Sequence, residues 1–278
     1  MSISGFSSAE EGAVDLFEID RTYRDRFERA RERALFSGPA GINSGSGESF
    51  SIGTLSEKSL HRTLKYFLEE NPLFHEQKIG DFVADIYNGK EIIEIQSRNF
   101  GAMKKKLSLL KDVADITVVY PLEMDREILW IDPKTYELKE KRNSNRHKTL
   151  INLMDELIFI KDRLLSSKLR ILVIGLKVQD IRLLDGYGRD KKRRATRYDK
   201  IPLELRSIDS FACAEDYRVF LAEGLNQEFT SDEFAELNHT NIVTAGRALS
   251  VLSALGCVQR IGKRGRKFLY RETLHGSD

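Results

Sequence analysis

The sequence predicts an α/β domain followed by a smaller C-terminal domain of helices and a basic hairpin. Two extended runs flank Asn88-Gly89, which is a strong local signal for a β-hairpin. An amphipathic helical stretch and a compact apolar strand at 116–120 follow. This order is expected when a third strand joins the sheet through a crossover helix. Near the C-terminus, three helical stretches precede two short strands joined by a basic turn.

Composition limits the classes of protein to consider. A length of 278 residues predicts about two domains, and 41% hydrophobic with 32% charged residues is typical of a soluble globular chain. Cys213 and Cys257 are far apart, which argues against a disulfide framework or a zinc site made of cysteine pairs. No apolar run approaches the roughly 20 residues of a membrane span, and the N-terminus lacks a signal-peptide core. We therefore expect a cytoplasmic protein with no membrane association.

The first 53 residues are predicted to be a charged helical extension and a flexible linker, to which no chemistry is assigned. The α/β domain is expected to occupy residues 54–205. Thr54 and Glu57 are spaced as a capping box at the start of its first helix. Glu57 is therefore interpreted first as a capping residue.

After the central hairpin, the pattern predicts a helix over 100–110, a strand that ends at Pro121, and a hairpin formed by 128–131 and 136–139. A helix at 147–165 and a strand at 169–184 follow. In the basic loop 186–200, seven of fifteen residues are Lys or Arg. Such a run is either a solvated loop or a phosphate contact, and its members include Lys191, Lys192, Arg193, Arg194 and Arg197.

Residues 206–278 predict three helices, at 208–223, from Thr230 onward, and at 242–255, followed by two strands. This is the order of a winged helix-turn-helix domain, a DNA-binding module that also serves as a protein-protein module. The turn carries four positive charges with an electrostatic reason to face phosphates, namely Lys263, Arg264, Arg266 and Lys267. The third helix would enter the major groove, with candidate contacts at or near its N-terminal end from His239, Asn241, Thr244 and Arg247.

The central hairpin is where metal chemistry is predicted. Alternation along the strands places Asp81, Asp85, Glu94 and Gln96 on one face. Across a two-residue turn, Asp85 and Glu94 are diagonal neighbours at roughly 5.5 to 8 Å between Cβ atoms. Such carboxylates can share Mg²⁺ or Mn²⁺. Asp81 is interpreted first as a turn residue.

Glu94 needs a partner because it interrupts an apolar strand, where an unpaired carboxylate is costly. The partner is either a metal shared with Asp85 or a cation such as Lys65 or Arg98, and only the metal implies catalysis. His61 is interpreted first as an ordinary helix histidine and second as a residue that approaches the same site. The basic side chains of 104–106 either guide a phosphate backbone or form the solvated side of their helix.

Asp85, the sequence Glu94-Ile95-Gln96 and the preceding helix with Glu57 resemble the PD-(D/E)XK nuclease superfamily over residues 54–122. The stretches NGKEIIEIQSRNFGAMKKKLSLL, TVVYPL and GKRGRKFLYR are similar to a group of uncharacterised bacterial proteins with a nuclease-like core and a C-terminal winged helix. The resemblance implies that Asp85 and Glu94 bind metal, and it makes a helix-borne metal ligand the second interpretation of Glu57. Gln96 replaces the usual lysine and can orient a water without supplying charge, and Ala84 stands where a proline is usual.

The sequence thus predicts a nuclease-like mixed sheet flanked by helices, followed by a winged helix. The expected partner is DNA, and the leading prediction is a metal-dependent endonuclease, with a homodimer left open. The alternatives are a non-catalytic DNA-binding regulator, which keeps the nuclease-like fold for interactions, and a protein-binding adaptor.

Overall fold

The computed structural model describes residues 21–36, 58–110, 112–188 and 193–273. The helices within these residues are α1 (Arg21–Phe36), α2 (Ser59–Leu68), α3 (Lys104–Leu110), α4 (Met154–Leu157), α5 (Ser231–Leu237) and α6 (Ile242–Ala254). The strands are β1 (His75–Ile79), β2 (Phe82–Tyr87), β3 (Glu91–Ile95), β4 (Asp115–Ile131), β5 (Leu138–Asn143), β6 (Leu169–Leu183), β7 (Thr196–Phe211), β8 (Glu228–Thr230), β9 (Val258–Arg264) and β10 (Lys267–Glu272).

The described strands form two sheets. The larger sheet has seven strands in the order β1-β2-β3-β4-β6-β7, with β5 paired to β4, and the smaller has the order β8-β10-β9. β3 and β4 run parallel, whereas β1 pairs with β2 and β4 with β5 in antiparallel fashion. The predicted mixed α/β class is therefore confirmed.

The chain divides into two compact units. Unit 1 comprises Met1–Asn88, Glu123–His147 and Ile174–Ile208, and unit 2 comprises Gly89–Leu122, Lys148–Val173 and Asp209–Asp278. Each unit is built from separate stretches of the chain, whereas the sequence predicted consecutive domains at 54–205 and 206–278.

In unit 1, α1 packs on α2 through the edge-to-face contact of Phe27 and Phe67, whose ring centroids lie 5.6 Å apart. Helix α2 begins at Ser59, and Lys58 at its N-cap position makes no side-chain cap. The carboxylate of Asp199 on β7 accepts the backbone N–H of Ser59 at 3.1 Å and its hydroxyl at 2.5 Å. This helix therefore begins after the predicted capping box, whose residues lie outside the described ranges.

Strand β1 was not predicted, and it forms a tight hairpin with β2. Ile79 pairs with Phe82, so Gly80 and Asp81 form the two-residue turn. Gly80 has φ +58°, a conformation that glycine adopts without steric cost. The interpretation of Asp81 as a turn residue is confirmed.

In unit 2, the crossover from β3 through α3 to the first half of β4 is confirmed. Residues 91–95 pair in parallel with 115–119, and Phe100, Leu107 and Leu110 of the connection are buried. The predicted end of the strand at Pro121 is wrong, because β4 continues to Ile131. Pro121 falls between the residues that pair with β3 and those that pair with β5, so its missing N–H interrupts neither of these pairings.

Two predicted helices are also corrected. The stretch 147–165 contains only short helical turns at Leu150–Leu153, Met154–Leu157 and Lys161–Arg163. The predicted helix at 208–223 is wrong, because β7 extends to Phe211 and a 3₁₀ turn covers Glu215–Phe220. In that turn, Tyr217 and Phe220 stack with Phe211 at centroid distances of 4.9 and 5.6 Å, so aromatic packing takes the place of a regular helix.

The C-terminal elements follow the predicted order more closely. The capping box of Thr230 and Glu233 opens α5, and Gly256, with φ +77°, follows α6. The antiparallel strands β9 and β10 form a hairpin with Gly265 at φ +65° in its turn, and β10 also pairs with β8.

Candidate nucleic-acid interface and predicted metal site

The hairpin of β9 and β10, residues 258–272, is strongly basic and is called the basic hairpin below. It carries one acidic residue, Glu272, and six basic ones, all exposed: Arg260, Lys263, Arg264, Arg266, Lys267 and Arg271. Gly265 lies in the turn of this hairpin, with Lys263, Arg264, Arg266 and Lys267 on either side of it. The arrangement offers several closely spaced cations to an anionic partner.

Three of these cations pair with carboxylates of β8 and α5. Arg264 lies 3.0 Å from Glu233, Arg271 lies 2.5 Å from Glu228, and Lys267 pairs with Asp232. The three basic side chains are 53 to 58% exposed. Solvent-exposed ion pairs contribute little to stability, so these cations can exchange a carboxylate for a phosphate.

The other three cations have no carboxylate partner within the described residues. The guanidinium of Arg260 lies 3.6 Å from the ring centroid of Phe268, and the ammonium of Lys263 lies 5.4 Å from the same centroid. Arg266 lies in the turn and is exposed. Phe268 is itself 38% exposed, so an aromatic ring stands among the cations.

Glu233 connects the start of α5 to the basic hairpin, because its carboxylate binds groups of both. Its carboxylate accepts the backbone N–H of Thr230 at 2.6 Å and also pairs with Arg264. The N–H and hydroxyl of Thr230, with a smaller contribution from Arg264, hold the pKa of Glu233 below its usual value. The capping box that starts α5 is thereby linked to Arg264, which is next to the turn of the hairpin.

The candidate DNA contacts on α6 are engaged within unit 2. Asn241 is the N-cap residue, accepting the N–H groups of Val243 and Thr244 at 3.0 Å. Thr244 is 2% exposed, and its hydroxyl lies 3.1 Å from Asp155, which Arg247 contacts at 2.8 Å. These roles of capping and packing direct the three polar side chains toward their own unit. DNA contact by them, and by His239, stays a prediction.

Three cations of the predicted basic loop, Arg193, Arg197 and Lys200, make intramolecular ion pairs in unit 1. Arg193 donates to both carboxylate oxygens of Glu140, at 2.6 and 2.9 Å, and lowers the pKa of that carboxyl. Arg197 donates to Asp180 at 3.0 Å. Arg194 is exposed, with φ +45°. Lys191 and Lys192 lie outside the described residues, and residues from Thr196 onward belong to β7 rather than to a loop.

Of the two predicted metal ligands, Asp85 on β2 lies in unit 1 beside a histidine. One of its carboxylate oxygens is 3.3 Å from Nε2 of His61 on α2. The Asp85 and His61 side chains are 19% and 31% exposed. The structure therefore places His61 beside Asp85, which agrees with the second interpretation of this histidine rather than the first.

Glu94 on β3 lies in unit 2 and has a lysine partner. The residue is 7% exposed, and its carboxylate is 2.6 Å from Nζ of Lys106 on α3. Lys65, one of the suggested pairing cations, pairs with Glu76 in unit 1. The other suggested cation, Arg98, is exposed.

The side-chain amide of Gln96 is engaged in a hydrogen bond, which it donates to the backbone carbonyl of Arg98 at 2.5 Å. Glu57 lies outside the described residues. Within the described residues, no group of three or more His, Cys, Asp or Glu side chains is placed to hold a metal ion. A metal site shared by Asp85 and Glu94 stays a prediction.

Comparisons with known proteins place the sequence among uncharacterised relatives. A family model described as "Domain of unknown function (DUF8091)" matches residues 58–212. An uncharacterized protein of Treponema pallidum (strain Nichols) is 25% identical over 228 residues, which cover 82% of this chain and 90% of that relative. No solved structure gives a significant match. Among the described helices, none has the length and apolar character needed to cross a membrane.

Proposed function

The chain belongs to the DUF8091 family, and we propose that it binds DNA through the basic hairpin, which lies outside the residues that the family model matches. The supporting observation is the set of six exposed cations on one hairpin, of which Arg260, Lys263 and Arg266 have no carboxylate partner among the described residues. Cations in such a row attract a phosphate backbone and release its condensed counterions.

The contact is proposed to be of a winged-helix kind in which the wing dominates. The order α5, α6, β9 and β10 supports this mode. Helix α6 is a weak base-reading element, because Asn241 and Thr244 are used for capping and packing. Phosphate contacts by a hairpin fix position on DNA without reading bases, so binding is expected to depend weakly on sequence.

The proposal is tested by neutralising the three cations that lack carboxylate partners. Fluorescence anisotropy would compare the wild-type chain with the triple variant Arg260→Gln, Lys263→Gln, Arg266→Gln on a short labelled duplex and on its single strand. At about 50 mM salt, we expect at least about 30-fold weaker duplex binding by the variant, because three counterion-releasing contacts are removed.

A matched control removes the same charge elsewhere. Lys134, Arg146 and Lys148 are exposed and lack ion pairs among the described residues, so their triple Gln variant has the same net charge as the hairpin variant. We expect the control to bind within about twofold of wild type. Equal weakening of both variants would overturn the assignment to the hairpin, and the absence of duplex binding by wild type would overturn DNA binding itself.

A second candidate function is metal-dependent hydrolysis of phosphodiester bonds, which the resemblance to PD-(D/E)XK nucleases implies, and the observation behind it is the buried carboxylate of Glu94. At 7% exposure in mid-strand this carboxylate needs a balancing positive charge, which Lys106 supplies in the structure. Carboxylate oxygens suit Mg²⁺ or Mn²⁺, although Lys106 competes for Glu94. In this proposal Asp85 and Glu94 would hold the metal, which stabilises charge on the cleaved phosphate, and Gln96 would orient a water.

Lys106 would also supply, beside Glu94, the positive charge that Gln96 lacks. Incubation of the full chain with supercoiled plasmid and Mg²⁺ or Mn²⁺ separates this candidate from binding alone. We expect cleavage to be lost in Asp85→Asn and in Glu94→Gln, and retained in the exposed control Glu137→Gln. Duplex binding by the wild-type chain without cleavage would reject hydrolysis and leave the DNA-binding proposal standing.

A further inference from the structure

Unit 1 contains a group of charged side chains that the proposed function does not use. These side chains come from β4, β6 and β7 and are called the arginine cluster: Glu123, Arg126, Asp180, Arg182, Arg197 and Lys200. Four of them are basic and two are acidic. The cluster therefore has a formal charge of +2.

The first carboxylate of the cluster, Asp180, is fully committed. It is 0% exposed, and Arg182 donates to its Oδ2 from Nε at 3.2 Å and from Nη2 at 2.8 Å. Arg197 donates to Oδ1 at 3.0 Å and to Oδ2 at 3.5 Å. Both carboxylate oxygens of Asp180 therefore already accept hydrogen bonds from Arg182 and Arg197. Arg126 approaches this carboxylate only to 3.9 Å.

The second carboxylate, Glu123, belongs mainly to Lys200. The two side chains are 14% and 12% exposed and form a close ion pair. Burial lowers the pKa of Lys200, while the charge and the hydrogen bond of Glu123 act in the opposite direction. Arg126 again lies at the limit of an ion pair, with 4.0 Å between its Nη1 and the Glu123 carboxylate.

Arg126 is consequently the least satisfied cation of the cluster. Its guanidinium donates to the hydroxyl of Ser144 at a long 3.4 Å, and its Nε is buried without a hydrogen-bond partner. The side chain is 21% exposed, which leaves one side open to a ligand while most of it is shielded from water. A shielded positive charge without full pairing is costly unless an anion neutralises it.

We propose that the arginine cluster binds an oxyanion of the phosphate class, with Arg126 as the principal donor. A planar guanidinium matches two oxygens of a phosphate group, and Arg182 and Arg197 add positive charge at its side. The ligand chemistry is a phosphate monoester, a phosphodiester or free phosphate. The proposal uses residues other than those of the basic hairpin and does not depend on the DNA-binding proposal.

The test titrates the full chain with inorganic phosphate and measures thermal stability and binding heat, with sodium chloride of equal ionic strength as the reference. We expect phosphate to raise the Tm above the chloride value, and Arg126→Gln to weaken phosphate binding at least about tenfold. Lys141→Gln removes a charge outside the cluster and should leave the affinity within about twofold. An equal Tm in phosphate and chloride for the wild-type chain would overturn the proposal, whatever the variants do.

Arg126→Lys is a second variant for the case that Arg126→Gln does not fold. It keeps the positive charge near Glu123 and removes the planar guanidinium group. A folded Lys variant that binds phosphate as tightly as wild type would also overturn the assignment to Arg126. Duplex binding distinguishes the sources of the phosphate. If Arg126→Gln weakens binding of phosphate and of duplex, the ligand is a DNA phosphate, and if only phosphate binding weakens, it is a free phosphate or small phosphate ester.

Discussion

The number of phosphates that the basic hairpin contacts determines how steeply DNA binding depends on salt. The logarithm of the association constant falls by about 0.9 per contact for each tenfold rise in salt. The three cations without carboxylate partners predict a slope of about −2.7, and engagement of all six predicts about −5.4. Between 50 and 200 mM salt the association constant should therefore fall about 40-fold in the first case and about 1,800-fold in the second.

The perturbation is the triple variant Arg260→Gln, Lys263→Gln, Arg266→Gln, and the assay is anisotropy of a labelled duplex over a series of salt concentrations. The variant should lose about 2.7 from the magnitude of the slope, and the control variant at Lys134, Arg146 and Lys148 should lose none. A variant slope equal to that of wild type would refute the reasoning, even if its affinity were lower. In that case the hairpin would influence binding without touching phosphates.

Three further predictions concern stability. Asp199→Ala removes the remote cap of α2 at Ser59 and should lower the free energy of unfolding by about 1 to 2 kcal/mol in urea denaturation. The control Asp162→Ala, at an exposed position, should leave this free energy unchanged. Equal free energies of unfolding for the two variants would exclude the capping role. Thr230→Ala should lower it by about 1 kcal/mol through loss of the α5 capping box, and an unchanged midpoint would contradict this. The folded-state pKa of Glu233 lies below its usual 4.5, so its stabilisation is present above about pH 4.5 and is lost as pH falls through the folded pKa. Glu233→Gln should flatten this acid limb of a stability-pH profile, and an identical limb would contradict the prediction.

The elements that the sequence predicted well are those set by local chemistry. Asn88-Gly89 located the β2–β3 hairpin, and the apolar spacing from Phe100 to Leu110 located the crossover. The Thr230 capping box and Gly256 marked the helices that precede the basic hairpin. Turn residues, caps and periodicity each act within a few positions, so one sequence is sufficient to detect them.

The errors arise where distant contacts decide the outcome. Helix α2 begins at Ser59 because Asp199, 140 positions away, caps it, and no local pattern reports that contact. The strand β4 continues past Pro121 because the chain exchanges one pairing partner for another. The division into two units is equally non-local, since each unit combines separate stretches of the chain.

The candidate sites show the same limit. The basic turn could be identified from composition, because its charge is local. Glu94 was recognised as needing a partner, but Lys106 was grouped with the solvated side of its helix because the sequence does not show which lysine reaches back to β3. The packing of Thr244 against Asp155 was equally hidden, so α6 was predicted to be a more open recognition helix than it is.

Photo-crosslinking of the full chain to duplex DNA that contains halogenated uracil, followed by peptide mapping, tests the DNA-binding proposal most directly. We expect the main cross-links to map to residues 258–272 and to disappear when excess unlabelled duplex is added. Cross-links confined to other parts of the chain, with none in this hairpin, would contradict it.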